Sequence, residues 1–213
     1  MSMYEELTRA YDDRKALINA RLGEFDKIRI NGDDNRIFEE LAFCILTSAV
    51  GPIVGIKSIN AIKGDLIGGN EKDLQQRLEG VHKYPEKSAF IVHTRDYLKN
   101  EYDFKLGELI DTFDDPRVRR EFFALNKNIK GLGLTQSSHF LRNIGFKGYA
   151  ILDRNVVKTL HKYGVIEDPK PPTSKKKYLE IEEKMKEFAK VLGITIDELD
   201  LLLWSMKSGR VPK

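Results

Sequence analysis

Apolar residues recur at three- and four-residue spacing along nearly the whole of this chain, and nowhere do they alternate over the length of a strand. That period fixes the class: an all-α fold built from some ten short helices, with no repeat long enough for a coiled coil or a solenoid. The stripe Leu7, Tyr11, Leu17, Ile18, Leu22, Phe25, Ile28 predicts a helix over 4–28. Asn31-Gly-Asp-Asp34 interrupts it and supplies capping residues for a mostly apolar helix over 36–49. Gly51-Pro52 precedes a helix over 53–63, and further helices are expected over 72–79, 86–99 and 105–113. Pro116 suits a first helical position and opens PRVRREFFALNKNI. Helices follow Gly133 and Asp153, the latter ending near Gly164, and two more close the chain over 174–191 and 195–206. Pro169, Pro171 and Pro172 make a stiff connector before them.

Charge narrows the partners. With 36 basic and 33 acidic residues the net charge is +3, so any grip on a polyanion has to come from local geometry rather than from a polybasic coat. The run Lys175-Lys176-Lys177 reads as a solvated helix start. A single cysteine, Cys44, excludes an intramolecular disulfide and any cysteine-built metal centre, and its apolar surroundings mark it as a core thiol. No metal or cofactor is expected. The first residues are charged and no apolar stretch reaches membrane length, so the expectation is an intracellular protein of cytoplasm or nucleoid, with no membrane partner.

The stretch with the most chemistry in it runs from Asn128 to Asp153, NIKGLGLTQSSHFLRNIGFKGYAILD. A helical pattern ends in Lys130-Gly131-Leu132-Gly133 and a second begins at once. Glycine adopts left-handed backbone angles without steric cost, so Gly131 and Gly133 allow a tight turn between the two helices. Main-chain N–H groups beside a helix N-terminus can then hold a phosphate. This is the logic of a helix-hairpin-helix, which grips a DNA backbone without reading its sequence. Asp153 follows Gly133 by twenty residues and stands before Arg-Asn-Val-Val-Lys, where it serves as an N-cap. The same carboxylate, near a hairpin that holds phosphates, can face a sugar. Releasing a base from deoxyribose builds positive charge on the sugar ring, which an ionised carboxylate stabilises. Reaching the anomeric carbon requires the nucleotide to be flipped from the stack.

The residues Gly131-Leu-Gly-Leu-Thr-Gln-Ser-Ser-His-Phe-Leu-Arg-Asn-Ile-Gly145 and Ala150-Ile-Leu-Asp-Arg154 resemble the archaeal-type 8-oxoguanine DNA glycosylases of the helix-hairpin-helix superfamily. Glu40-Leu-Ala-Phe-Cys-Ile-Leu-Thr47 resembles that family's early core helix, and Leu199-Asp-Leu-Leu-Leu-Trp204 with Ser208-Gly-Arg-Val-Pro-Lys213 its closing segment. The resemblance implies two helical subdomains with a cleft between them: 36–147 containing the hairpin, and 1–35 with 148–213. It implies a monomeric enzyme acting on double-stranded DNA that carries a damaged or mismatched base, 8-oxoguanine before others. Asp153 matches the family's catalytic aspartate, and Lys213 its terminal lysine, whose end carboxylate is implicated in reading the oxidised base. Lys130, Gly131, Leu132, Gly133 and Gln136 fall at DNA-backbone positions; Tyr84 is a candidate for stacking on DNA, and Phe90 is as readily a core residue. His139, in the helix after the hairpin with Phe140 and Arg142, is assigned to packing.

One departure bears on mechanism. The second residue after the hairpin's second glycine is the family's catalytic lysine, and here it is Thr135. A lysine amine attacks the sugar carbon and forms an imine that permits strand cleavage; a threonine hydroxyl cannot. The reading adopted is a monofunctional glycosylase that uses water, with Thr135 positioned to hold it. Two alternatives stand beside it: a displaced amine such as Lys130 or Lys127, or a protein that binds lesions without cutting. Gln136-Ser137 and Thr47-Ser-Ala-Val-Gly-Pro-Ile-Val54 also differ from the family pattern, and the second difference is compatible with an altered base preference.

Overall fold

A computed structural model describes residues 3–209 and 211, and the described residues contain twelve helices and no strand. They are α1 Met3–Asp12, α2 Lys15–Asn31, α3 Asp34–Thr47, α4 Pro52–Ile62, α5 Glu71–Leu78, α6 Lys87–Tyr102, α7 Leu106–Asp111, α8 Pro116–Leu125, α9 Leu134–Asn143, α10 Arg154–Lys162, α11 Lys175–Val191 and α12 Ile196–Ser208. Contacts divide the chain into two compact units, residues 30–140 and residues 1–29 with 141–213, the division falling inside α9.

The 30–140 unit is organised on α3. Asp33 caps it by accepting the Arg36 N–H at 2.8 Å, as the turn residues predict. Ten consecutive or near-consecutive α3 residues are buried, among them Phe38, Leu41, Phe43 and Leu46, because α4, α6 and α7 pack around it. Ile59 and Ile62 of α4, Leu74 and Leu78 of α5, Ile91 and Leu98 of α6, and Phe123 of α8 complete this core. Phe123 also packs on Phe140 of α9, ring centroids 5.0 Å apart.

In the other unit, α11 and α12 pack together and α10 and α1 lie against α12. Its key stretch is irregular. Tyr149, Ala150, Ile151 and Leu152 run buried toward α10, and a buried non-helical strip must find partners for its polar backbone. Glu182 of α11 accepts the Ala150 N–H at 2.9 Å, and Tyr178 of the same helix donates to the Ala150 carbonyl at 2.5 Å. Gly145, at φ +90°, enters this stretch where a Cβ would stand 2.7 Å from Arg29 Cβ and 2.9 Å from the Phe25 carbonyl, so only glycine fits.

Two boundary expectations are corrected. The helix expected over 4–28 is two helices, broken at Asp13-Arg14, where the Arg14 N–H turns back to the Tyr11 carbonyl. Leu7, Tyr11, Ile18 and Phe25 keep one buried face across the break, while Leu17 points about 100° away from Ile18 and is 62% exposed. The helix opened by Pro116 ends at Leu125 rather than near Ile129. Asn126 takes an extended conformation, and its side-chain oxygen accepts the Asn128 N–H at 2.9 Å, a local turn that competes with another helical turn.

Candidate functional site

The hairpin lies between α8 and α9. Gly131 has φ +77°, and a Cβ there would stand 3.0 Å from Phe90 Cδ2 and 3.2 Å from Ile45 Cγ2. Both conformation and space therefore require glycine. Gly133 is different: its φ is not positive, nothing approaches within 4 Å, and its role is to start α9, its carbonyl accepting the Ser137 N–H at 2.9 Å. The expectation that both glycines supply left-handed angles holds for Gly131 alone. Leu132 is buried between them and anchors the turn, and the Lys130 N–H is fixed to Thr94 Oγ1 at 2.9 Å. The first N–H groups of α9 lie outside its own hydrogen-bond ladder, as at any helix start, and a Cβ at Gly133 would meet open space. Gly131→Ala should lower unfolding stability by about 1–3 kcal/mol, from backbone strain plus the forced movement of Phe90 and Ile45. Denaturant titration checks it, and Gly133→Ala should cost far less.

Thr135 and Gln136 occupy the first turn of α9 and are half-buried. Gln136 Oε1 lies 3.5 Å from Thr47 Oγ1 at the end of α3. His139 is buried, its ring edge-on to Phe43 at 5.8 Å, which is the packing role expected of it. Tyr84 is half-buried, with Lys83 Nζ 5.3 Å from its ring centre. Phe90 is 40% exposed beside Gly131, so it borders the hairpin surface rather than sitting in the core.

Two residues near the hairpin carry no signal in the sequence. Lys87 is 7% exposed and donates from Nζ to the Ile45 carbonyl at 2.7 Å and to Ser48 Oγ. Burial pushes its amine down to about 8, Glu86 opposing part of the effect. His82 accepts the Tyr84 N–H at Nδ1 (2.9 Å), which leaves the proton on Nε2 to bond the Leu46 carbonyl, also at 2.9 Å. Together they satisfy the last carbonyls of α3, at the end of the helix whose Ile45 side chain packs on Gly131.

Asp153 belongs to the other unit and is the N-cap of α10. Its Oδ1 accepts the Asn155 and Val156 N–H groups at 2.7 and 2.8 Å. Its Oδ2 accepts the Trp204 indole N–H at 2.8 Å, so both oxygens are aimed. The buried strip 149–152 delivers it to this position. Lys207, one turn beyond Trp204 on α12, bonds the side chain of Asn155 in the same capping turn. The same unit holds a buried pair: Arg142 Nη1 donates to Asp200 Oδ2 at 2.8 Å, with both side chains almost wholly buried. Asp200 is four residues before Trp204, hence on the same face of α12. Asp197 accepts the Gly148 N–H at 3.0 Å, and burial pushes its carboxyl up. Lys213 lies outside the described residues. No helix among the described residues is long and apolar enough to cross a membrane, and none of their His, Cys, Asp and Glu side chains group to hold a metal ion.

Residues 18–194 match the family model described as 8-oxoguanine DNA glycosylase. This chain belongs to that family. The 8-oxoguanine DNA glycosylase/AP lyase of Korarchaeum cryptofilum is 37% identical over 201 residues, 93% of this chain and 91% of the relative. That of Fusobacterium nucleatum is 34% identical, covering 99% of this chain and 97% of its own length. The crystal structure of the Thermotoga maritima 8-oxoguanine DNA glycosylase superposes with a TM-score of 0.88 at 34% identity, over 99% of this chain and 98% of that one. The Methanocaldococcus jannaschii glycosylase/lyase, solved with a 15mer DNA containing 8-oxoguanine, gives 0.87 at 29% identity, over 98% of this chain and all of that one. The fold is the family's helix-hairpin-helix glycosylase fold.

Proposed function

We propose that the protein excises an oxidised base, 8-oxoguanine before others, from double-stranded DNA by hydrolysing the N-glycosidic bond. The observation that carries this is the Asp153 carboxylate, doubly capped on one oxygen and held by Trp204 on the other, in a chain of a DNA glycosylase family. As the C1′–N9 bond breaks, its electron pair leaves with the base and the sugar ring becomes cationic. Asp153, held before the charge appears, stabilises that cation without having to reorganise. Water then adds at C1′ and its proton leaves for the departing base. Thr135 has no amine to offer, so water is the nucleophile and Thr135 is assigned to holding it. Lys130, Gly131, Leu132, Gly133 and Gln136 hold the backbone, Tyr84 stacks on the DNA, Lys213 reads the base, and the protein works as a monomer. The test is chromatographic detection of free base from duplexes carrying 8-oxoguanine or other damaged bases. Release of 8-oxoguanine is expected; tight binding with no base released from any duplex would leave a lesion-binding protein instead.

One observation favours a second reading, in which strand nicking survives through another amine. Lys207 Nζ sits on Asn155, within the turn that Asp153 caps. Borohydride reduction with peptide mapping distinguishes the two: an adduct on Lys207 would replace the hydrolytic reading, and no adduct supports it.

A further inference from the structure

Asp153 stabilises a cation, and the buried Asp200, whose charge interacts with that of Asp153, is itself paired with a cation. Arg142, from the end of α9, is 3% exposed, stacked over the Phe25 ring at 5.0 Å and bonded to Asp200. Asp200 Oδ1 is buried with no hydrogen-bond partner among the described residues, so the pair is held through one oxygen only. We propose that Asp200 is a positioning residue for base release: it neutralises the buried Arg142, so that the developing sugar cation meets the field of Asp153 and not that of a bare guanidinium. The proposal rests on Asp153 being the carboxylate that faces the sugar.

The charged groups that act on Asp200 come from three places: Arg142 of α9, Asp153 at the cap of α10, and Asp197 one turn earlier on α12. Of the other elements packed on α12, α11 brings Glu182, engaged with the Ala150 N–H, and α1 brings Tyr11, which donates to Glu198 at 2.6 Å. Burial raises the Asp200 carboxyl to about 7, with Arg142 pulling it down and the charges of Asp153 and Asp197 pushing it up. Below neutrality Asp200 is protonated and Arg142 is uncompensated. Above it the pair is neutral.

Charge and structure make opposite predictions for a double variant. Asp200→Asn keeps an acceptor for Arg142 but leaves its charge bare. The single-turnover rate of base release should fall roughly tenfold or more and lose its rise with pH through about 7. Adding Arg142→Met removes the bare charge, and the double variant should recover most of the loss. If the pair only braces the fold, the double variant will be as slow as Asp200→Asn or slower and the pH rise will persist; either result overturns the proposal. Inactivity of the unmodified protein on every duplex would instead strike at the reading of Asp153. Denaturation across pH 4–8 then tests the pair without substrate. A folded carboxyl that keeps its proton to about 7 loses stability relative to the Asn variant as pH rises from about 4 to about 7.

Discussion

Asp153→Asn is expected to slow base release by a factor of roughly a hundred to ten thousand while leaving DNA affinity and fold in place. The separation is possible because the two duties of Asp153 use different properties. Capping α10 needs only an acceptor at Oδ1, and asparagine caps as well as aspartate, so the bonds from Asn155 and Val156 survive. Stabilising a sugar cation needs the negative charge, which asparagine lacks. The structural cost lies at Oδ2, where an amide NH2 would face the Trp204 N–H, donor against donor; about 1–3 kcal/mol of stability is lost there. Thermal melting reads that cost, a gel-shift titration reads affinity, and single-turnover kinetics read chemistry. Near-normal base release in a folded variant would remove Asp153 from the mechanism and leave it a cap.

Thr135→Lys is expected to do the reverse and confer an activity. It returns an amine to the first turn of α9, two residues beyond Gly133. That amine can attack C1′ as the base departs with the bonding electrons. The ring opens to an imine, and loss of a C2′ proton then expels the 3′ phosphate. Borohydride should trap the variant on 8-oxoguanine DNA in a covalent complex, and strands should break without alkali; the unmodified protein should do neither. Thr135 is half-buried, so a lysine stem can pack along the turn with its amine outward. A folded, DNA-binding Thr135→Lys protein that forms no adduct would show that position 135 does not approach the sugar.

What could be foreseen from the chain divides along the range of the interactions involved. Helices such as α3, α11 and α12 follow from apolar spacing, and Asp33 caps α3 from the turn the sequence offers, while Ser174 and Thr195, expected inside their helices, are the caps of α11 and α12. The break at Asp13-Arg14 was hidden because Leu7, Tyr11, Ile18 and Phe25 keep one face across it, and periodicity responds to faces rather than to hydrogen bonds. The early end of α8 depends on Asn126, whose side chain chooses between turn and helix within two residues. At the site, Gly131 and Asp153 stand out because a left-handed turn and a cap are local signals. Trp204 holding Asp153, Asp200 neutralising Arg142 and Lys87 closing α3 join residues 51, 58 and 42 positions apart, and nothing in their neighbourhoods marks them as partners. The glycosylase family was legible in motifs, but the framework that aims its carboxylate was legible only in the fold.

If the base leaves without an amine nucleophile, base loss and strand breakage are separate events. End-labelled duplex containing 8-oxoguanine is incubated with the protein, and each time point is divided between a gentle quench and hot alkali. Strand breaks that appear only in the alkali half, growing with time, are the predicted result: the base is gone and the backbone is still closed. Equal breakage in both halves would mean that an amine attacks the sugar, because Thr135 cannot form the imine that nicking requires.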